Sequence, residues 1–192
     1  MIRSHIVVKR AGDDDVELLS GTLGEEHCAY FRGCLKVQAA DLGEVLVAWH
    51  EGEPVAAVFL FWGEADELPV RALLPGVPFF HHFQVSASLR KLGIGTRLLL
   101  AGEERMRARG HLHVALGVDH GNKGAYRLYE RLGYAQPEAD DLRGLPGPVP
   151  YDILVADLHR PLPADFVEHS QQTSAERAEV SLLSRADRAQ KA

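Results

Sequence analysis

The chain has 192 residues, 46% of them hydrophobic and 25% charged, with a formal net charge of -6 from 21 basic and 27 acidic side chains. That length holds one ordinary domain, whose core needs neither disulfides nor a structural metal. The acidic balance argues against a nucleic-acid partner, no apolar run approaches a membrane span, and the two cysteines, Cys28 and Cys34, read as reduced thiols of a cytoplasmic protein rather than a disulfide scaffold.

Residues 1–8 alternate in hydrophobicity, unlike a signal peptide, and predict a first strand ending near Lys9. Gly12-Asp13-Asp14-Asp15 supplies turn and cap chemistry, so residues 14–40 are expected to be helical with a break at Gly21 to Gly24. Residues 44–49 and 54–61, on either side of Glu51-Gly52-Glu53, read as an antiparallel hairpin. Residues 63–78, rich in Pro, Gly and acidic side chains, read as a surface loop of functional length. Residues 79–85 read as a strand and residues 94–109 as a helix, with Ile94, Leu98, Leu99, Gly102 and Met106 on one face and Gly110 as its stop. Leu112, Val114, Leu116 and Val118 alternate as a strand; Ala125, Leu128, Tyr129 and Leu132 share a face of a second helix; residues 151–158 form a last strand. The order β-α-α-β-β-β-α-β-α-β describes an α/β (α+β) domain over residues 1–160, a mixed sheet with helices on both faces, followed by a polar tail or appended helix over residues 161–192.

The strand ending at Val85 passes into a loop holding Arg90, Gly93 and Gly95, then into a helix. Two glycines allow a tight turn and close backbone approach, and the helix start offers free N–H groups and the positive end of its dipole. Such a corner suits a pyrophosphate. Gly-x-Gly alone is a weak signal. The chain lacks a Walker loop. The dinucleotide fingerprint wants a small residue where Leu98 stands, although Asp119 at the next strand end could serve as its ribose-binding acid.

The segment Val85-Ser86-Ala87-Ser88-Leu89-Arg90-Lys91-Leu92-Gly93-Ile94-Gly95 resembles the acetyl-CoA-binding signature of the GNAT superfamily of N-acetyltransferases, Arg/Gln-x-x-Gly-x-Gly/Ala, with Ala87 where a proline is usual. A second family motif resembles Asn122-Lys123-Gly124-Ala125-Tyr126-Arg127-Leu128-Tyr129-Glu130-Arg131-Leu132-Gly133-Tyr134, in the expected order and distance. The likeness is sharp over residues 79–135.

It implies a mostly antiparallel twisted sheet with a splayed strand pair at the CoA site. It also implies acetyl transfer from acetyl-CoA to a primary amine by direct attack in a ternary complex, without a metal. On this resemblance Phe83 and Val85 line the pantetheine arm. Backbone amides of Arg90, Lys91, Leu92, Gly93, Ile94, Gly95 and Thr96 hold the pyrophosphate. Asn122 bonds the pantetheine or caps the second helix beside Ala125, and Tyr129 is the general acid near the sulfur. From periodicity alone Tyr129 reads as a core aromatic. A CoA-binding regulator without activity and a nicotinamide oxidoreductase are the alternatives.

A protonated amine needs a base, and His81 is the candidate: strand alternation is expected to set His81, Phe83 and Val85 on one face and His82 on the other. A half-buried structural histidine is an equal reading of His81. Glu64, Asp66 and Glu67 are alternatives for binding a cationic acceptor, with a solvated acidic loop as the plainer reading, and Tyr151 could face the acceptor. His111 and His113 share a strand face but lack a third metal ligand. Cys28 and Cys34 lie six apart on a helix and are expected not to share a face. The expected partner is a small-molecule or peptide amine, and a homodimer is compatible with the chain.

Overall fold

The structure, a computed structural model, describes residues 6–137 and 151–161. The polar tail expected after residue 160 lies outside the described residues, Pro161 apart. The elements below all fall within one compact unit, Met1–His159.

The first strand is β1 (Ile6–Arg10). Helix α1 (Asp13–Leu18) starts with three aspartates, and the Gly12 N–H donates to Asp15 Oδ2 at 3.1 Å. The acids suit the positive end of a helix. Helix α2 (Ser20–Leu23) stops at Gly24, whose φ of 99° separates it from α3 (Glu25–Ala39). The long helical stretch is thus three pieces, broken at Leu19 and at Gly24, while Gly21 lies inside α2. The hairpin strands β2 (Gly43–His50) and β3 (Glu53–Phe61) meet through Glu51 and Gly52, with φ of 52° and 87°. Two left-handed residues form the tight turn that matches strand twist.

Residues 63–78 are not a plain loop. They contain α4 (Leu68–Leu73), with Pro69 in its first turn, where a missing N–H costs nothing. Its buried Val70 packs with Phe79, Ala115 and Ile153. The helix is short and its flanks rich in turn formers, so periodicity does not reveal it. Strand β4 (Phe79–Val85), a 3-10 turn (Ala87–Leu89), α5 (Ile94–Ala108), β5 (His113–Asp119), α6 (Lys123–Arg131) and β6 (Tyr151–Asp157) complete the described chain.

The six strands form one sheet in the order β1-β2-β3-β4-β5-β6, antiparallel throughout except between β4 and β5. That parallel pair is bridged by α5, as a parallel connection requires a crossover. One sheet face carries α1 to α3: Val16, Leu19, Cys28, Phe31 and Cys34 join Val45, Val47, Ala57 and Phe59 in a single core. Both cysteines are therefore buried in one cluster, because a helix stripe wide enough to cover a sheet spans more than the angle between positions six apart. The other face carries α5. A Cβ on Gly102 would collide with the Phe80 ring and stand 3.1 Å from Leu60 Cδ2, so the helix backbone lies directly on β3 and β4.

Candidate active site

The parallel pair is short. Phe79 stands opposite Ala115 and Phe80 opposite Leu116, and the pairing goes no further. Beyond it β4 stays with β3, and β5 stays with β6 as far as Asp119 and Tyr151. The sheet opens between them, leaving backbone groups on the facing edges of two strands for a guest with amides of its own.

One strand, β4, lines both sides of this opening because it carries a bulge. Phe59 is opposite His81 and Ala57 opposite Gln84, so one β3 residue faces both His82 and Phe83. His82 sits at φ 52°, in the left-handed region. The extra residue shifts the alternation. His81 and His82 both turn to the face of α3: His81 lies among Phe59, Phe61 and Phe79 at ring distances of 5.9 to 6.2 Å, and His82 stacks on Tyr30 at 4.0 Å. Phe83 and Val85 turn to the other face, where a Gly95 Cβ would touch Phe83 Cε1 at 3.6 Å and Val85 Cγ2 at 3.5 Å. Phe83 and Val85 share a face with His82 opposite them, as expected, but the expected placing of His81 with Phe83 and Val85 is corrected: it shares the face of His82. A bulge is a register event, which the pattern of one strand does not carry.

On the α5 side the loop rises from the 3-10 turn through Lys91, at φ 67°, and Gly93, at φ 80°, into the helix. The first intrahelical bond runs from the Arg97 N–H to the Gly93 carbonyl at 3.0 Å, and among the described residues no side chain caps the helix. The amides of Ile94, Gly95 and Thr96 are thus the unbonded first turn. Ile94 and Thr96 bury their side chains, whereas Arg90, Lys91 and Leu92 before them are exposed. Arg90 Nε lies 3.4 Å from the Val85 carbonyl.

Helix α6 closes the same side. Asn122 Oδ1 accepts the Ala125 N–H at 3.1 Å, so of the two roles considered for Asn122 its side chain fills the cap. Tyr129 is buried, edge-on to Phe83 with ring centroids 6.5 Å apart. Burial pushes its phenol up to about 12, which keeps the O–H protonated at neutral pH. Behind it Tyr134, at 5.8 Å, donates its O–H to Glu103 Oε1 at 2.9 Å, and Glu103 accepts from Arg107 at 3.1 Å. This buried network ties α5 to the turn after α6.

On the opposite face burial holds His81 below the usual imidazole range, against an upward pull from Glu67 and then Asp66. The ring is neutral at pH 7 and able to accept a proton. Glu67 accepts the Tyr151 O–H at 2.8 Å. The Tyr151 ring lies over Gly117, where a Cβ would meet it at 2.8 Å. Gly117 is a site residue the sequence reading missed; a glycine inside an alternating strand was the available sign of close approach. Glu64 is engaged elsewhere, pairing with Arg71 at 3.4 Å and accepting the Gly76 N–H. His111 stands outside β5, its N–H bonded to the Met106 carbonyl at 3.2 Å, so it shares no strand face with His113. No cluster of three or more potential metal ligands occurs among the described residues. No helix among them is long and apolar enough to cross a membrane.

An antiparallel sheet opened at its single parallel pair, flanked by an uncapped helix start, is the architecture of an acyl-CoA-dependent transferase. It also removes the dinucleotide alternative, which needs a doubly wound parallel sheet. Residues 15–134 match the model of the acetyltransferase (GNAT) family, and the chain belongs to that family. Among solved structures, a GNAT-family acetyltransferase from Staphylococcus aureus Mu50 is similar over 80% of this chain and 99% of its own, with TM-score 0.58 and 14% identity. A PaiA N-acetyltransferase from Thermoplasma acidophilum, in complex with coenzyme A, covers 80% and 99% with TM-score 0.56 and 15% identity. A mycothiol acetyltransferase from Streptosporangium roseum is 48% identical over 48 residues, a stretch covering 25% of this chain and 14% of that protein.

Proposed function

We propose that this protein transfers an acetyl group from acetyl-CoA to a primary amine by direct attack, with Tyr129 as general acid and His81 as general base. The observation that carries this reading is the β4 bulge. It sets a neutral imidazole on one side of the sheet opening and a protonated, buried phenol on the other. Attack needs a neutral amine on one face of the thioester and a proton for the departing sulfur on the other.

The residues fit the co-substrate. The first-turn amides of α5, with the αL Gly93 before them, suit the pyrophosphate. The free edge of β4 suits the amides of the pantetheine arm, and Phe83 and Val85 supply apolar wall beside Gly95. His81 takes the proton of the amine as nitrogen bonds the carbonyl carbon. Strand-edge N–H groups beside the opening stabilise the oxyanion. As the carbon–sulfur bond breaks, Tyr129 gives its proton to the thiolate, and the phenolate is reprotonated from solvent. The residues near the acceptor side are Phe61, Phe79, Glu67 and Tyr151, so a cationic amine with an apolar neighbour suits it better than an acidic one.

The test is acetyl-CoA-dependent release of free thiol across a library of small amines, amino acids and peptide N-termini, with product masses 42 Da above the acceptor. Acetyl-CoA should raise Tm. No thermal shift with acetyl-CoA, CoA or longer acyl-CoAs would sink the reading. Binding without turnover of any amine would favour a regulator.

A further inference from the structure

The β4 bulge needs something to hold it. A histidine at φ 52° is in a backbone region that side chains with a Cβ rarely occupy, and His82 has no glycine's freedom to relax there. What surrounds it is specific. His27, in the first turn of α3, places Nδ1 2.8 Å from His82 Nε2. Their rings tilt together at 4.9 Å, Tyr30 stacks on His82 at 4.0 Å and an interplanar angle of 21°, and the buried Phe31 meets it edge-on at 5.3 Å. Three consecutive faces of one imidazole are thus occupied by side chains of a single helix, which is itself sealed into the core by Phe31 and Cys28. None of His27, Tyr30 or His82 belongs to either acetyl-CoA motif.

We infer that His27 and His82 are positioning residues: their hydrogen bond pins the β4 bulge to α3 and so keeps His81 on the acceptor face while Phe83 and Val85 stay on the cofactor face. This inference rests on the transfer reading above for its functional consequence, but its structural content stands apart. Without the pin, β4 can relax toward regular pleating. Regular alternation returns Phe83 to the face of His81 and takes it away from Tyr129 and Gly95. The helix that holds the acceptor side would therefore control the wall of the cofactor side, through one strand and one shared proton.

The experiment compares His27→Phe, which keeps a ring but loses the bond, with His27→Asn, whose amide sets a hydrogen-bonding atom where Nδ1 stands. Acetyl-CoA affinity is read by titration calorimetry on the full chain. Contact between the Phe83 and Tyr129 rings is read by nuclear Overhauser effects. His27→Phe should weaken acetyl-CoA about tenfold and lose the Phe83–Tyr129 effects. His27→Asn should keep both within about twofold. If His27→Phe binds as the wild type does and retains the ring contact, or if both variants lose affinity equally, the pin is overturned. Should His27→Phe not fold, His82→Ala removes the ring while keeping a Cβ that disfavours the left-handed region, and unchanged affinity with an unchanged ring contact there overturns the idea as well. A wild type that ignores acetyl-CoA, with ring contacts still dependent on His27, overturns the transfer reading and leaves the pin standing.

Discussion

The two sides of the sheet opening are built from different materials. The side proposed for the cofactor, α5 and α6 with the free edge of β4, is built largely of backbone: the αL Gly93, the first-turn amides of α5 and the close approach at Gly95. The side proposed for the acceptor is built of side chains drawn from four separate segments: His81 from β4, Phe61 from β3, Glu67 from the turn before α4, and Tyr151 from β6. Backbone chemistry demands glycines and turns at fixed spacing, so the cofactor side leaves a readable trace. Side-chain chemistry assembled over 84 residues, as between Glu67 and Tyr151, leaves only separate candidates and no sign of the contact between them. In the proposed reaction one side is the generic half and the other the particular half.

If that division is right, damage on the cofactor side should be separable into chemistry and grip. The largest effect is expected at Tyr129. Tyr129→Phe keeps the edge contact to Phe83 and removes only the proton, so turnover should fall about 10³-fold while acetyl-CoA affinity holds. Equal losses in both would make Tyr129 a wall and not an acid. On the acceptor side, His81→Gln should lower kcat about 10²-fold, less than Tyr129→Phe because water can take the amine proton. An unchanged rate would move the base elsewhere, with Glu67 next to examine.

Two glycines sharpen the comparison further, since one serves packing and the other the loop. Gly102→Val drives a side chain into Phe80 and Leu60 and should cost about 3 kcal/mol of stability, read from denaturant midpoints. Gly93→Ala forces a Cβ into the left-handed region at a cost of about 1–2 kcal/mol. Open space surrounds that Cβ, so strain is the whole effect. Either the unfolding free energy falls by that amount or the loop relaxes and acetyl-CoA binds more weakly; no change in both would show that the left-handed turn is dispensable.

The same division explains what could be read in advance. The strands, the helices and the order of the chain follow from alternation, helical spacing and glycine stops, and the breaks at Gly24 and at Glu51-Gly52 follow from turn chemistry. The loop from Arg90 to Thr96 was legible because its residues are adjacent in sequence. Helix α4 was hidden because six residues do not establish a period. The face of His81 relative to Phe83 and Val85 was misassigned because a bulge depends on the partner strand, and His82 gives no local warning that it will take a positive φ. His27 was invisible for the same reason: 55 residues separate it from the ring it touches.

The smallest effect tests whether His81 is neutral by burial. Its folded pKa lies below the unfolded value of 6.5, because desolvation outweighs the attraction of Glu67 and Asp66. Below pH 6.5 the unfolded chain binds a proton that the folded site still refuses, so protonation favours unfolding and stability is lost as pH falls. The loss begins near the unfolded pKa and stops once pH has passed below the folded one. His82 and His111 are pushed down by burial too, so the wild-type slope belongs to all three. His81→Gln isolates one share: glutamine stays neutral across the window, and its Tm should fall less steeply between pH 7 and pH 5 than that of the wild type, by about 1 to 3 degrees. A parallel slope would mean that His81 meets solvent as an ordinary imidazole does. The acceptor side would then have no neutral base at its centre, and the contrast between its side-chain chemistry and the backbone chemistry opposite would lose its principal residue.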